Sequence, residues 1–342
     1  MTTLQTKSYV PIPTNQTTVP VVQIKKDSRS YIHFIAGGVG GLAGAVCTSP
    51  LDVVKTRLQS TFYQKIPQHS THKPNFLLGH FIETGRLLVR IKQVEGLRGY
   101  FKGLGPNLVG VIPARSINFY TYGNGKKLYT ELNHGKETPI VHLLSAATAG
   151  VVTATATNPI WVIKTRLQLQ GNNRRYGNSL DCIAHILKSE GIRGLYKGMS
   201  ASYLGVAEGT IQWVIYEDLK RKWATSSNTI STNNKIGGKS PQEWMGNLGA
   251  AAISKFVAAC ISYPHEVLRT RLRQPAENGV LKYTGLWQCL NLVWKEEGFT
   301  ALYGGMSAHL LRVVPNAAIM FFCYEAIVHN FSKPSNNNNI TA

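Results

Sequence analysis

Charged positions are distributed unevenly along this chain. Six stretches of helix length run almost free of charge. Residues Phe34–Leu51 and Thr138–Ile163 carry none, and Gly103–Gly125, Gly198–Tyr216, Trp244–His265 and Tyr303–Tyr324 carry one each. Crossing a hydrocarbon core of ~30 Å takes ~20 helical residues, and each stretch is too long for a strand. The pattern predicts six membrane-crossing helices. A soluble all-helical protein with Gly- and Ala-rich buried helices is the competing reading, since none of the six is a Leu-rich block. Small residues at four-residue spacing favour the membrane: Gly37/Gly41, Gly40/Gly44 and Ala146/Gly150/Ala154. They let backbones approach where lipid supplies no hydrophobic drive.

The polar segments repeat as well. SPLDVVKTRLQ at 49–59 returns as NPIWVIKTRLQ at 158–168 and YPHEVLRTRLR at 263–273. A second element follows each: EGLRGYFKG at 95–103, EGIRGLYKG at 190–198 and EGFTALYGG at 297–305. A period of roughly 100 residues is too long for a solenoid. It implies three copies of a two-helix unit, over 30–131, 138–224 and 243–331. In each copy a long helix ends near the Pro motif, and a polar segment carries a short amphipathic helix such as Asn178–Lys188. The Glu-Gly element then turns the chain into a second long helix. Residues 60–75 read as a loop insertion in the first copy. Residues 1–29 read as a disordered tail without a secretory or mitochondrial presequence, 225–242 as a polar linker, and 332–342 as a disordered Asn-rich tail.

Composition narrows the partners. Lys and Arg number 37 against 17 Asp and Glu, a net charge of +20, which calls for an anionic partner. Nucleic acid is the wrong one, because the charge is spread through loops and no groove-reading motif is present. Basic residues near segment ends suit anionic lipid such as cardiolipin. Five scattered Cys without a CxxC argue against a disulfide framework and against zinc. No P-loop, HExxH, GxSxG or triad pattern suggests an enzyme. His69 and His72 in the insertion make a poor metal site, and no cofactor is called for.

Proline in a membrane helix breaks a backbone hydrogen bond and kinks the helix. Three kinked helices related by threefold symmetry converge at one end, where Asp52, Lys55, Lys164, Glu266 and Arg269 face the axis. The opposite requirement holds for a ligand. A substrate is not symmetric, so its contacts should break the repeat. Aligning the copies sets Glu208 level with Ala114 and Asn316, and Arg312 level with Gly110 and Leu204. Arg115 matches Gly209 and Ala317, and Lys255 matches Gly41 and Gly150. All four lone intramembrane charges break the repeat, and charge at membrane depth is functional by default. Three cations against one carboxylate suit a phosphorylated anion, which Arg binds bidentately and Lys as a point charge. Asn118, Gln212 and Trp213 offer hydrogen bonds and a stacking face to a planar ring, and Glu208 an acceptor or a proton carrier.

The threefold Pro-x-acid-x-x-base motif with its Glu-Gly follow-up resembles the mitochondrial carrier family, over about residues 31–330. The resemblance implies an all-α membrane protein of six transmembrane helices in three pseudo-threefold repeats, with short matrix helices. It also implies the mitochondrial inner membrane, alternating access and a functional monomer. It implies a matrix gate in which Asp52 pairs with Lys164 and Glu266 with Lys55, braced by Gln59 and Gln168, with Arg273 at the third brace position. Trp161 stands where the second repeat should carry an acid, leaving Arg269 to an indole face. A cytoplasmic gate is implied at Lys126, Glu217, Lys220 and Glu325, of which only Glu325–Lys126 can pair fully. Gly110, Leu204 with Gly205, and Arg312 match the family's three substrate-contact positions. The runs KGLGPNLVGVIPARSINF at 102–119, ATATNPIW at 154–161 and YPHE at 263–266 look most like the branch exchanging pyrimidine (deoxy)nucleotides such as UTP and TTP. Carriers of NAD, FAD or folate share the Trp motif and are the alternative.

Overall fold

The computed structural model describes residues 30–61, 76–171, 175–227, 241–276 and 280–331. The tails, most of the 225–242 linker and residues 62–75 of the insertion lie outside them. Ten helices carry the fold among the described residues. They are α1 (Ser30–Cys47), α2 (Ser49–Leu58), α3 (Phe76–Glu95), α4 (Leu104–Leu132), α5 (Pro139–Leu169), α6 (Ser179–Glu190), α7 (Met199–Ser227), α8 (Pro241–Leu272), α9 (Leu286–Glu297) and α10 (Met306–Phe331). The second and third repeats are each a long helix, a 12-residue helix and a second long helix; the first has the bent pair α1–α2 and a 20-residue middle helix; each turns tightly at the Glu-Gly element.

In the second and third repeats the first long helix ends with the Pro motif, as expected: Pro159 and Pro264 lie inside α5 and α8, which run to Leu169 and Leu272. In the first repeat the helix breaks before Pro50, and α1 and α2 meet at a bend of 57°. The break is held from within: the Thr48 hydroxyl donates to the Gly44 carbonyl at 2.7 Å. The short helix of the second repeat starts at Ser179, because Asn178 is its N-cap and accepts from the Asp181 amide at 2.8 Å.

By length and composition alone, two stretches among the described residues are apolar enough to cross a membrane, Pro139–Leu169 and Phe299–Ile327. The bent α1–α2 pair is a third if counted as one span. The helices α4, α7 and α8 fall short because Gly, Ser, Thr, Asn and lone charges dilute them. Such residues belong on helices that line an aqueous path.

The second long helix of each repeat packs along the first long helix of the next: α4 on α5, α7 on α8, α10 on α1. The three copies thus close into a ring. Small residues allow these approaches. A side chain on Gly40 would strike the Met320 backbone, and one on Gly44 would strike Asn316. Three apolar clusters, one per repeat, fill the angle between the Pro-motif helix and the short helix. They centre on Val53, Val54 and Ile91, on Val162, Tyr176 and Ile186, and on Leu268, Cys289 and Val293.

Candidate functional site

The Pro-motif helices α2, α5 and α8 bring their charged residues together at one end of the ring. Lys164 Nζ lies 2.7 Å from Asp52 Oδ2, and Lys55 Nζ contacts Glu266 Oε2. Both pairs link different repeats. Beneath the first pair, Gln168 donates to Asp52 at 3.0 Å and accepts from the Thr56 hydroxyl at 2.7 Å. Gln59 accepts from Thr270 at 2.7 Å and donates to the Tyr263 hydroxyl at 3.1 Å. Arg273 fills the third brace position and donates to Asn158 at 2.7 Å and Ser202 at 3.0 Å. Three left-handed glycines let α4, α7 and α10 start against these braces. Side chains on Gly103, Gly198 and Gly305 would meet the backbone carbonyls of Lys164, Arg269 and Lys55.

The corner without an acid differs from expectation. The cation over the Trp161 ring is Lys164, 5.4 Å from its centroid. Arg269 turns back along its own helix, with Nη2 3.5 Å from Glu266 Oε1. The Trp161 Nε1–H is engaged by Thr157 at 2.9 Å.

The four repeat-breaking charges separate into three places. Lys255 and Glu208 meet at 2.6 Å between α8 and α7. Arg312 reaches down to Asp52 Oδ1 and so joins the gate. Arg115 is exposed on α4 and reaches toward Gly41 of α1. Gln212 is half-buried and Leu204 is exposed. Two glycine positions are filled by neighbours in this state. A side chain on Gly110 would meet Ile160 and Trp161, and one on Gly205 would meet the His265 ring. The flat place for a ring expected at Gly205 is occupied by that imidazole.

At the other end, Lys126 pairs with Glu137 at 2.8 Å rather than with Glu325, which is exposed. The side chains of Trp213, Glu217 and Lys220 lie outside the described residues.

Several residues of consequence were not singled out in the sequence. Arg57, Arg166 and Arg271 are fully buried, and each binds the glutamate of its own Glu-Gly element. The Arg57–Glu95 contacts are bidentate, 2.7 and 2.8 Å. Lys102 and Lys197 add a second cation to Glu95 and Glu190. Gly304 replaces that lysine in the third repeat, where Arg271 instead donates to the Tyr283 hydroxyl at 3.0 Å. His309 Nδ1 lies 2.9 Å from Lys55 Nζ. The threefold recurrence of the arginines in the Pro motif was the available signal.

The family described as "Mitochondrial carrier protein" matches three times in tandem, over residues 26–133, 135–227 and 240–335. The chain belongs to the mitochondrial carrier family. It is a multi-pass protein of the mitochondrial inner membrane, and the three matched units correspond to the three helix–short helix–helix copies. The carrier is 54% identical over 309 residues to the "Mitochondrial carrier protein rim2" of Schizosaccharomyces pombe, covering 87% of this chain and 89% of that one. It is 49% identical over 332 residues to the "Mitochondrial pyrimidine nucleotide transporter RIM2" of Saccharomyces cerevisiae, covering 89% and 87%. It is 39% identical over 319 residues to "Solute carrier family 25 member 33" of Homo sapiens, covering 89% and 96%. In this state the Pro-motif helices are joined at their charged ends by the Asp52–Lys164 and Lys55–Glu266 pairs.

Proposed function

We propose that this carrier exchanges pyrimidine nucleotides and deoxynucleotides, UTP and TTP among them, across the inner membrane by alternating access. The observation that carries the reading is the 49% identity, over most of both chains, to a protein named as a pyrimidine nucleotide transporter. The cavity chemistry agrees with it. Arg115, Arg312 and Lys255 supply cations for phosphates, and Glu208, Gln212, Asn118 and Trp213 supply polar and stacking groups for a base. No covalent step is required, so the work of the site is binding and release. Substrate contacts fall to Gly110, Arg115, Leu204, Gly205, Glu208, Gln212, Lys255 and Arg312. The Asp52–Lys164 and Glu266–Lys55 pairs serve as the matrix gate, with Trp161 and Arg269 at its third corner. Lys126, Glu217, Lys220 and Glu325 serve as the cytoplasmic one.

A single chain encloses the pathway with its three repeats, which makes the monomer the functional unit. Anionic lipid such as cardiolipin meets the basic residues near the helix ends. The deciding experiment is counter-exchange in liposomes loaded with UTP. Uptake of labelled TTP and UTP, dependent on internal nucleotide, is the expected result. Uptake of NAD, FAD or folate with no response to pyrimidine nucleotides would reject the reading.

A further inference from the structure

The two gate carboxylates are shared in the same manner. Asp52 gives Oδ2 to Lys164 and Oδ1 to Arg312. Glu266 gives Oε2 to Lys55 and Oε1 to Arg269. Four cations therefore stand on two acids, a surplus of two positive charges at the floor of the pathway. The sharing is unequal in exposure. Asp52, Lys55, Lys164 and Glu266 have side chains 9–14% exposed, whereas Arg269 and Arg312 are 32% and 31% exposed. The lysines are the buried partners and the guanidiniums face the open side.

Arg269 is the weaker bound of the pair. Its contact is a long 3.5 Å reach to a carboxylate on its own helix, one that Lys55 already holds. The position that would supply it a carboxylate from another repeat is Trp161, whose N–H is committed to Thr157 and whose ring faces Lys164. Both arginines lie within electrostatic range of Lys55 and Lys164, so an anion arriving between them relieves repulsion in the whole cluster.

We infer that Arg269, released by Trp161, forms with Arg312 a subsite for the polyphosphate end of the substrate. A short phosphate chain is satisfied by Arg312, and a longer one spans to Arg269. The gate corner that lacks its acid thus reads phosphate number. This rests on the nucleotide reading above and adds a discriminating residue to it.

The test compares wild type, Arg269→Gln and Trp161→Glu. The second variant restores an acid opposite Arg269 and captures it without removing it. Competition by UTP and UMP is measured in the exchange assay, and thermal stabilisation of the purified carrier is measured with tripolyphosphate and with orthophosphate. A charge-assisted bond is worth ~1.5–3 kcal/mol, so each variant should weaken UTP at least about tenfold more than it weakens UMP. Tripolyphosphate should stabilise wild type well beyond orthophosphate, and both variants should lose that difference. Should Arg269→Gln fail to fold, Trp161→Glu carries the same comparison. An unchanged UTP-to-UMP ratio and unchanged tripolyphosphate stabilisation in the folded variants would overturn the subsite. If wild type ignores pyrimidine nucleotides while tripolyphosphate stabilisation still depends on Arg269, the subsite stands and the base assignment falls.

Discussion

Arg57 donates from Nε to the carbonyl oxygen of Gln168 at 2.9 Å, across 111 positions of chain. Arg166 makes the equivalent bond to Arg273 at 3.2 Å, and Arg271 to Gln59 at 3.1 Å. The first repeat holds the second, the second the third, and the third the first. Each guanidinium is meanwhile anchored by the glutamate of its own repeat, so the turn into α4, α7 and α10 is locked in each case to the end of the next Pro-motif helix. This closed ring beneath the gate fixes where Asp52, Lys164, Lys55 and Glu266 can meet.

Removing an anchor should therefore cost stability. Arg57 is fully buried, and Glu95 compensates it together with backbone carbonyls. Breaking a buried pair by removing one partner typically costs ~3–5 kcal/mol, because the remaining charge stays desolvated. Glu95→Ala should lower the melting temperature of the detergent-purified carrier markedly, and an unchanged melting temperature would refute the assigned role.

The same glutamates give a pH dependence with a definite sign. Burial pushes the Glu95 and Glu190 carboxyls up. The hydrogen bonds and charges of Arg57 with Lys102, and of Arg166 with Lys197, outweigh it and hold both below the usual carboxylate range. A carboxyl lowered in the folded state contributes stability that is complete above its unfolded value of ~4.3. That contribution is lost as the pH falls below this value and through the lowered folded values. Melting curves from pH 7 to 3 should show the loss beginning below about pH 4.3, and Glu95→Gln should show a smaller loss across the same window. A variant curve parallel to wild type would contradict the assignment.

Glycine substitutions offer a paired comparison. Gly96 and Gly103 both have positive φ, 69° and 75°; Gly103 is left-handed with ψ of 7°, and Gly96, with ψ of −168°, sits in a region essentially reserved for glycine. A side chain on Gly96 would meet nothing within 4 Å, whereas one on Gly103 would come within 2.9 Å of the Lys164 carbonyl and 2.8 Å of the Gln168 side chain. Gly96→Ala should cost backbone strain alone, ~1–3 kcal/mol. Gly103→Ala adds a clash with the gate helix and should specifically disfavour the matrix-closed state. Labelling of a cysteine placed on the matrix side of the pathway should rise in Gly103→Ala and not in Gly96→Ala. Equal labelling would show that the close approach is not what holds the gate shut.

The legible and illegible parts of this molecule divide along physical lines. Triplication stands out in the residues themselves and gathers the motif charges at one end, while the pairing of Asp52 with Lys164 and of Glu266 with Lys55 came from the family resemblance and is found in the structure. The break before Pro50 was hidden, because Pro159 and Pro264 carry the same motif inside unbroken helices and the motif does not encode whether the helix runs on. The partner of Arg269 was hidden for a related reason. Once Trp161 removes the acid, a long side chain chooses among neighbours by local geometry, which spacing does not encode. The ring of Arg57, Arg166 and Arg271 was masked because half of each interaction is a backbone carbonyl, present at every residue. The state itself was also invisible. Glu325 and Lys126 are complementary in charge, yet Lys126 is held by Glu137 while the Asp52–Lys164 and Glu266–Lys55 pairs are formed.

Lys255 and Glu208 allow ligand binding to be separated from architecture. Their ends lie 2.6 Å apart, and neither charge recurs in the other repeats. The Lys255 side chain is 43% exposed, so the pair is worth at most ~1 kcal/mol to the fold. Were its role structural, Lys255→Ala or Glu208→Gln would cost about that much, and the charge-exchanged double variant, Lys255→Glu with Glu208→Lys, would restore whatever was lost. Were it to face the substrate, the singles would melt close to wild type yet exchange nucleotide at least about tenfold more slowly, the loss expected of a charged hydrogen bond. The exchanged double variant would then present its cation on the wrong helix and stay slow. The exposure of the pair and its violation of the threefold pattern favour the second outcome. Recovery of wild-type exchange in the double variant, measured in proteoliposomes beside its melting temperature, would remove these two residues from the substrate site.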